Sequence, residues 1–328
     1  MEVLLNKLRD KVATRSSEWK WGRTTLHKFL TTKMNYCYRM KKSYHEGLKE
    51  NVDIADQRVK YIKKLQEYRS EGRKIYFQDE TWVNSNMTFP KAWFDEENSS
   101  EIASLPAGKG ERSIICHIGS EDGFLEPAQL IFRGSKSLKD ADYHSEMNAY
   151  VFQDWMKTKV LPNVPKDSVI VIDRATYHMT LTENTKPAPS TSKKQQFAEW
   201  LVEKKVKVKK MKTVDDFMSL KRVELAALCK KHKPKPKYMI SEVAAKFKVK
   251  ILILPVGHPE MNPIEMIWSM MKDFIMKRNP NRSLKEVEKL ANEFFDNFDK
   301  VEWKKCVEHV KKIEEEYLEI ADEIPVEM

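Results

Sequence analysis

Features of membrane passage and secretion are missing from this sequence. The longest apolar runs, residues 251–256 and 264–271 with Glu265 inside the second, fall far short of the ~20 residues that a bilayer crossing needs. Glu2, Lys7 and Arg9 interrupt the amino terminus, which therefore lacks a signal-peptide core. A soluble, intracellular protein with no membrane partner is expected. Cysteine is also scarce: Cys37, Cys116, Cys229 and Cys306 are scattered and form no close pair. That spacing points to neither a zinc site nor a disulfide framework, and the four are expected to be reduced, mostly buried thiols.

The sequence does contain enough apolar material for a sizeable core, 41% of 328 residues, in one large domain or two. The formal net charge of +10 is unevenly distributed. Residues 1–50 carry twelve Lys/Arg against five Asp/Glu and residues 204–237 carry thirteen against three, whereas residues 286–328 carry six against fourteen. Concentrated basic segments suit a polyanion, because each phosphate neutralised releases a condensed counterion. The alternative for each segment is a solvated helix face.

Hydrophobic periodicity divides the chain into regions. Residues 1–70 read as helical, with helical spacing over 24–34 and 59–68. Trp21-Gly22-Arg23-Thr24-Thr25 reads as a turn and cap leading into a recognition-type helix, which Arg23, Lys28, Arg39, Lys41 and Lys42 would flank as DNA contacts. From residue 71 the period becomes strand-like, over 75–83, 112–118 and 128–132, with a hairpin turn at 119–123 and a helix at 150–160. Residues 179–250 break the pattern with a Pro- and Ser-containing loop and expected helices at 195–205, 219–231 and 240–247. That length is too great for an ordinary connection and reads as an inserted helical subdomain. The sheet resumes with the continuous apolar run 251–254, as for a strand covered on both faces. Acidic amphipathic helices fill 283–322. The division expected is a helical region at 1–70 and a sheet domain at 71–328.

Three carboxylates stand out. Asp79 closes the apolar run 74–78 and shares a strand face with Ile75 and Phe77; Asp173 closes 168–172 and shares one with Val169 and Val171. Open sheets place ligand sites at such strand ends, although a lone Asp after an apolar run is more often a turn residue. Glu265 follows Asn262 and Pro263, so a capping box, with Asn262 as N-cap, is a strong competing explanation for it. Against that, Glu265 borders the buried stripe Ile264, Ile267, Trp268 and Met271 at the end nearest the loop, where it can face the same crevice as the aspartates. Three carboxylates from distant segments are what a divalent-metal phosphoryl-transfer site requires.

These segments resemble a known family. Tyr76-Phe77-Gln78-Asp79-Glu80-Thr81-Trp82-Val83-Asn84 is similar to the first-aspartate motif of mariner-type DDE transposases, and Val171-Ile172-Asp173-Arg174-Ala175-Thr176-Tyr177-His178 to the second. Pro259-Glu260-Met261-Asn262-Pro263-Ile264-Glu265-Met266-Ile267-Trp268 resembles the third, and the resemblance extends over roughly residues 20–280. It implies an α/β, RNase H-like fold: a mixed sheet with flanking helices, an N-terminal helical DNA-binding arm, and a helical insertion before the last catalytic helix. Asp79 would lie on the first strand, Asp173 on the fourth and Glu265 on a following helix. The three would be catalytic ligands of two Mg²⁺ or Mn²⁺ ions. Arg174, His178, His258 and Asn262 would border the ligands. The partners implied are double-stranded DNA, as element terminal repeats and target, and a second copy of the chain in a homodimer. The nucleus is the expected compartment in a eukaryote, the cytoplasm or nucleoid in a bacterium.

The sequence departs from the family pattern in three places. Arg174 stands where the family usually has Asn, and its guanidinium either binds the scissile phosphate or competes with a metal for Asp173. Residues 1–50 resemble only the latter part of a bipartite helix-turn-helix region, as in a truncated, fragmentary or host-adopted member. The 91 residues between Asp173 and Glu265 indicate a long-insertion subgroup. The expected activity is a metal-dependent transposase/endonuclease that binds transposon ends, cleaves DNA and joins 3′ ends to target DNA. The alternative is a domesticated DNA-binding or regulatory protein without strand transfer.

Overall fold

The computed structural model describes Thr24, Thr25, Lys28, Thr32 and residues 51–89, 108–134, 147–188, 191–208, 211–279 and 281–323. Two compact units are present, 1–47 and 48–328. Lys28 is helical and exposed; Arg23, Arg39, Lys41 and Lys42 lie outside the described residues.

Within the larger unit, α1 (Val52–Ser70) begins at Asn51, whose side chain accepts from the Asp53 amide. The strands are β1 (Ile75–Asn84), β2 (Arg112–Ser120), β3 (Gly123–Phe124), β4 (Leu130–Arg133), β5 (Val169–Ile172) and β6 (Lys250–Ile253). The helices after α1 are α2 (Ala149–Trp155), α3 (Lys194–Glu203), α4 (Val214–Met218), α5 (Arg222–Lys231), α6 (Met239–Lys246), α7 (Ile264–Arg278), α8 (Leu284–Asn297) and α9 (Lys300–Glu323).

The six strands form one mixed sheet in the order β3-β2-β1-β5-β6, with β4 also paired to β2. β1 is antiparallel to β2 and parallel to β5, which is parallel to β6. Helices cover both faces, so the α/β, RNase H-like expectation holds. Alternation along β1 sends Phe77 to one face, with Val171, Trp268, α1's Leu65 and the residues of α8 and α9, and Tyr76 to the other, with Ile170, Phe152 and Trp155.

Two details differ from the sequence expectation. The strand after β2 is interrupted: β3 and β4 both pair with β2, and the short 3-10 turn Glu126–Ala128 separates them, so Asp173 follows the fifth strand in chain order. As the strand-like period over 75–83 implies, β1 runs past Asp79 to Asn84 against β2, while its pairing with β5 ends at Phe77. Asp79 therefore sits where the parallel side of the sheet opens. Finally, α1 belongs with the sheet, because Tyr61, Ile62 and Leu65 are buried in the core that holds α7.

Close packing explains one glycine. A Cβ on Gly119 would lie 2.4 Å from Cζ2 of Trp303, a fully buried ring. The β2 backbone and α9 can approach this closely only because position 119 has no side chain.

Candidate active site

Strand register brings the two aspartates together. Ile75 pairs with Val169, Tyr76 with Ile170 and Phe77 with Val171. Continuing that register by two residues sets Asp79 opposite Asp173, just beyond the last ladder pair. α7 crosses this opening, and Asn262 anchors its start: the Nδ2 amide donates to the Gln78 carbonyl at 3.2 Å. No side chain caps α7, and the residue flanking its first turn is Pro263. The capping-box explanation of Glu265 therefore fails. Asn262 ties the helix to β1 beside Asp79, and Glu265 remains solvent-accessible at the opening.

The carboxylates sense one another. Burial pushes the Asp79 carboxyl well above the usual range, and Glu80, Glu265 and Asp173 push it further. Its Oδ2 accepts from the Trp268 indole at 2.9 Å. Glu265 is also raised, by partial burial and by Asp173, against an opposing pull from Lys272. Burial would raise Asp173 too, but its hydrogen bond to His178 outweighs that and holds it below the ordinary value.

His178 is fully buried between two carboxylates, with Nδ1 2.6 Å from Asp173 Oδ1 and Nε2 3.2 Å from Glu80 Oε1. Burial alone would lower its pKa, yet these two bonds raise it to about 9, so at neutral pH the imidazolium donates from both nitrogens. Asp173 Oδ1 also accepts the Ala175 amide at 3.0 Å. Arg174 is exposed and makes no ion pair among the described residues. His258 lies elsewhere: its Nδ1 is 2.9 Å from Glu260 Oε1, which also accepts from the Tyr317 hydroxyl at 2.7 Å. Arg58 of α1 stacks 4.2 Å from the Tyr317 ring centroid. This cluster pins the segment leading into α7 between the first and last helices.

Two participants escaped the sequence reading. Glu80 is buried on the sheet face opposite Asp79, and the signal was available: a second acid inside a strand that is otherwise uncharged needs a partner. Lys272 is half-buried and close enough to Glu265 and Asp79 to be influenced by both. Its position, seven residues after Glu265 with Trp268 between them, marks a single helix face.

The donor set suits a hard divalent cation, since carboxylate oxygens are the preferred ligands of Mg²⁺ and Mn²⁺, and such an ion offsets both the burial and the mutual repulsion that raise Asp79 and Glu265. Among the described residues no three His, Cys, Asp or Glu side chains are already gathered about one point. Asp79 and Asp173 each have an oxygen committed, to Trp268 and His178 respectively.

No family model and no curated protein sequence matches the chain. Solved structures do. The Mos1 strand transfer complex aligns with a TM-score of 0.52 at 12% identity, covering 100% of this chain and 79% of that one. The pre-cleavage Mos1 transpososome gives 0.50 at 12%, covering 98% and 72%, and the Mos1 paired-end complex with left transposon end gives 0.50 at 11%, covering 97% and 70%. The chain has a mariner-type transposase fold. At this identity the likeness to Mos1 transposase is one of fold, and the chemistry rests on the residues present here.

Proposed function

We propose that this protein is a metal-dependent DDE-type DNA transposase/endonuclease that binds transposon ends, cuts them and joins 3′ ends to target DNA. What supports this reading best is that Asp79, Asp173 and Glu265, from β1, the end of β5 and α7, lie near enough for their carboxyls to influence one another. These residues would hold two Mg²⁺ or Mn²⁺ ions. A bound pair of such ions supplies activation of a water or 3′-hydroxyl and stabilisation of the leaving oxygen. The chain's own residues do the positioning: Trp268 orients Asp79, His178 orients Asp173, and Asn262 sets the start of α7 against β1. The exposed Arg174 guanidinium is free to meet a phosphate oxygen. Work on two DNA ends fits a homodimer, acting in the nucleus of a eukaryotic host or at the nucleoid of a bacterium.

The test is nicking of DNA that carries candidate terminal repeats, with Mg²⁺ or Mn²⁺. Asp79→Ala, Asp173→Ala and Glu265→Ala should each reduce cleavage by orders of magnitude while DNA binding persists. Undiminished cleavage by Glu265→Ala would remove that residue from the site. Arg174, in place of the family's Asn, favours a second reading, a domesticated DNA-binding protein without strand transfer. Binding of ends with no nicking under any divalent ion would select it.

A further inference from the structure

One inserted module carries a net charge equal to that of the whole chain. Residues 193–237 hold fifteen Lys/Arg and five Asp/Glu out of the chain's 59 and 49, which leaves 44 of each sign elsewhere. Elsewhere the charges sum to zero, because the basic excess of residues 1–50 is offset by the acidic excess of residues 286–328.

The segment is a built unit. α3, α4 and α5 enclose their own core of Phe197, Leu201, Phe217 and Leu225, separate from the cores on either face of the sheet. α6, by contrast, packs on the sheet through Ile240 and Ala244. Thr213 and Asp216 cap α4 reciprocally, and the Trp200 indole donates to the Lys186 carbonyl at 3.0 Å. The segments flanking the module are tied together at its base, where the Thr182 amide donates to the Lys237 carbonyl and the Met239 amide to the Thr180 carbonyl, each at 2.9 Å. That base begins at Thr180, two residues after His178, whose ring is bonded to Asp173 at the carboxylate opening.

Its lysines are not spent on internal pairing. Lys205, Lys207 and Lys212 around the turn after α3, and Lys230, Lys231 and Lys233 at the end of α5, are all exposed. None of these six makes an ion pair; among the described lysines of the module, only Lys204 does, with Glu203. A net charge of this size on a small folded unit costs self-repulsion, which a polyanion relieves. Flexible ammonium groups act as point charges on phosphates and read no bases.

We propose that this module is a second, sequence-independent binding surface for duplex DNA, holding the backbone of the molecule whose phosphodiester lies at the carboxylate opening. Cleavage of duplex DNA at that opening is taken from the function proposed above; the charge placement stands without it.

The experiment measures affinity of the full-length protein for a random-sequence DNA duplex as a function of salt. Wild type is compared with Lys205→Gln/Lys207→Gln/Lys212→Gln and with Lys230→Gln/Lys231→Gln/Lys233→Gln. Thermal melts verify that each is folded. The log–log salt slope should fall by about 0.9 for every lysine that meets a phosphate, in at least one triple variant. An unchanged slope in both triple variants overturns the proposal, as does tighter binding of single-stranded RNA or polyglutamate than of duplex. The two readings fail separately. A wild type that binds with the lysine-dependent slope but never nicks refutes cleavage alone, and one that nicks with a lysine-independent slope refutes the surface alone.

Discussion

Asp79→Asn separates the cost of the carboxylate cluster from its use. Asp79 is buried, at 9% exposure, with one indole donor on Oδ2 and three other carboxylates raising its pKa. An asparagine oxygen can keep the Trp268 hydrogen bond while removing the charge. The gain in stability of the metal-free protein at pH 7 should be on the order of 1–3 kcal/mol, typical of relieving an uncompensated buried charge. For a domain of this size that is a melting-temperature rise of roughly 2–4 °C per kcal/mol. The sign follows from linkage. A carboxyl whose folded pKa is raised binds its proton more tightly in the folded state, so the wild-type penalty grows as pH rises from the ordinary carboxylate range through the raised value. It is absent from the variant. Divalent ions reverse the ranking: at a hundred times its Kd, Mn²⁺ should stabilise wild type by about 2.7 kcal/mol and Asp79→Asn much less. Calorimetric or fluorescence melts with and without Mn²⁺ read both effects, without reference to activity. An Asp79→Asn protein less stable than wild type in the absence of metal, or one stabilised equally by Mn²⁺, would refute the reasoning.

Three other perturbations test neighbouring parts of the structure. Burial lowers the pKa of His117, stacked 4.4 Å from Phe124, to about 3; the unfolded chain takes up the proton near pH 6.5, so stability should fall by up to ~1.4 kcal/mol per pH unit as pH drops from about 6.5 towards 3. His117→Phe should flatten that dependence in denaturant melts, and an identical pH slope in the variant sinks the assignment. Gly119→Ala should cost roughly 1–3 kcal/mol or more by overpacking against Trp303, and a neutral effect in urea titration would show that α9 can move away. Arg174→Asn should leave stability within ~0.5 kcal/mol while lowering the salt slope of DNA binding by about 0.9. A larger Mn²⁺-induced thermal shift in Arg174→Asn, with unchanged DNA binding, would instead make Arg174 a competitor for Asp173.

Some of this was legible in the sequence because the cause is local. Period-two alternation assigns Asp79 to the face of Phe77, and the stripe Ile264, Ile267, Trp268 and Met271 shows which side of α7 is buried. The length and composition of 179–250 identify an insertion, and its charge excess is a matter of counting. Other features depended on pairing between distant segments. The register that puts Asp79 opposite Asp173 depends on how β1 and β5 align, and neither strand encodes that alone. Asn262 has the right spacing for a helix cap, yet α7 docks against β1 and a buried Gln78 carbonyl takes its amide instead. The bridge from Asp173 through His178 to Glu80 joins residues up to 98 positions apart. The interruption between β3 and β4 likewise exists only where both meet β2. Local periodicity thus determined which side chains face inward; tertiary packing decided which of them meet, because a buried polar atom takes whichever partner the fold brings within reach.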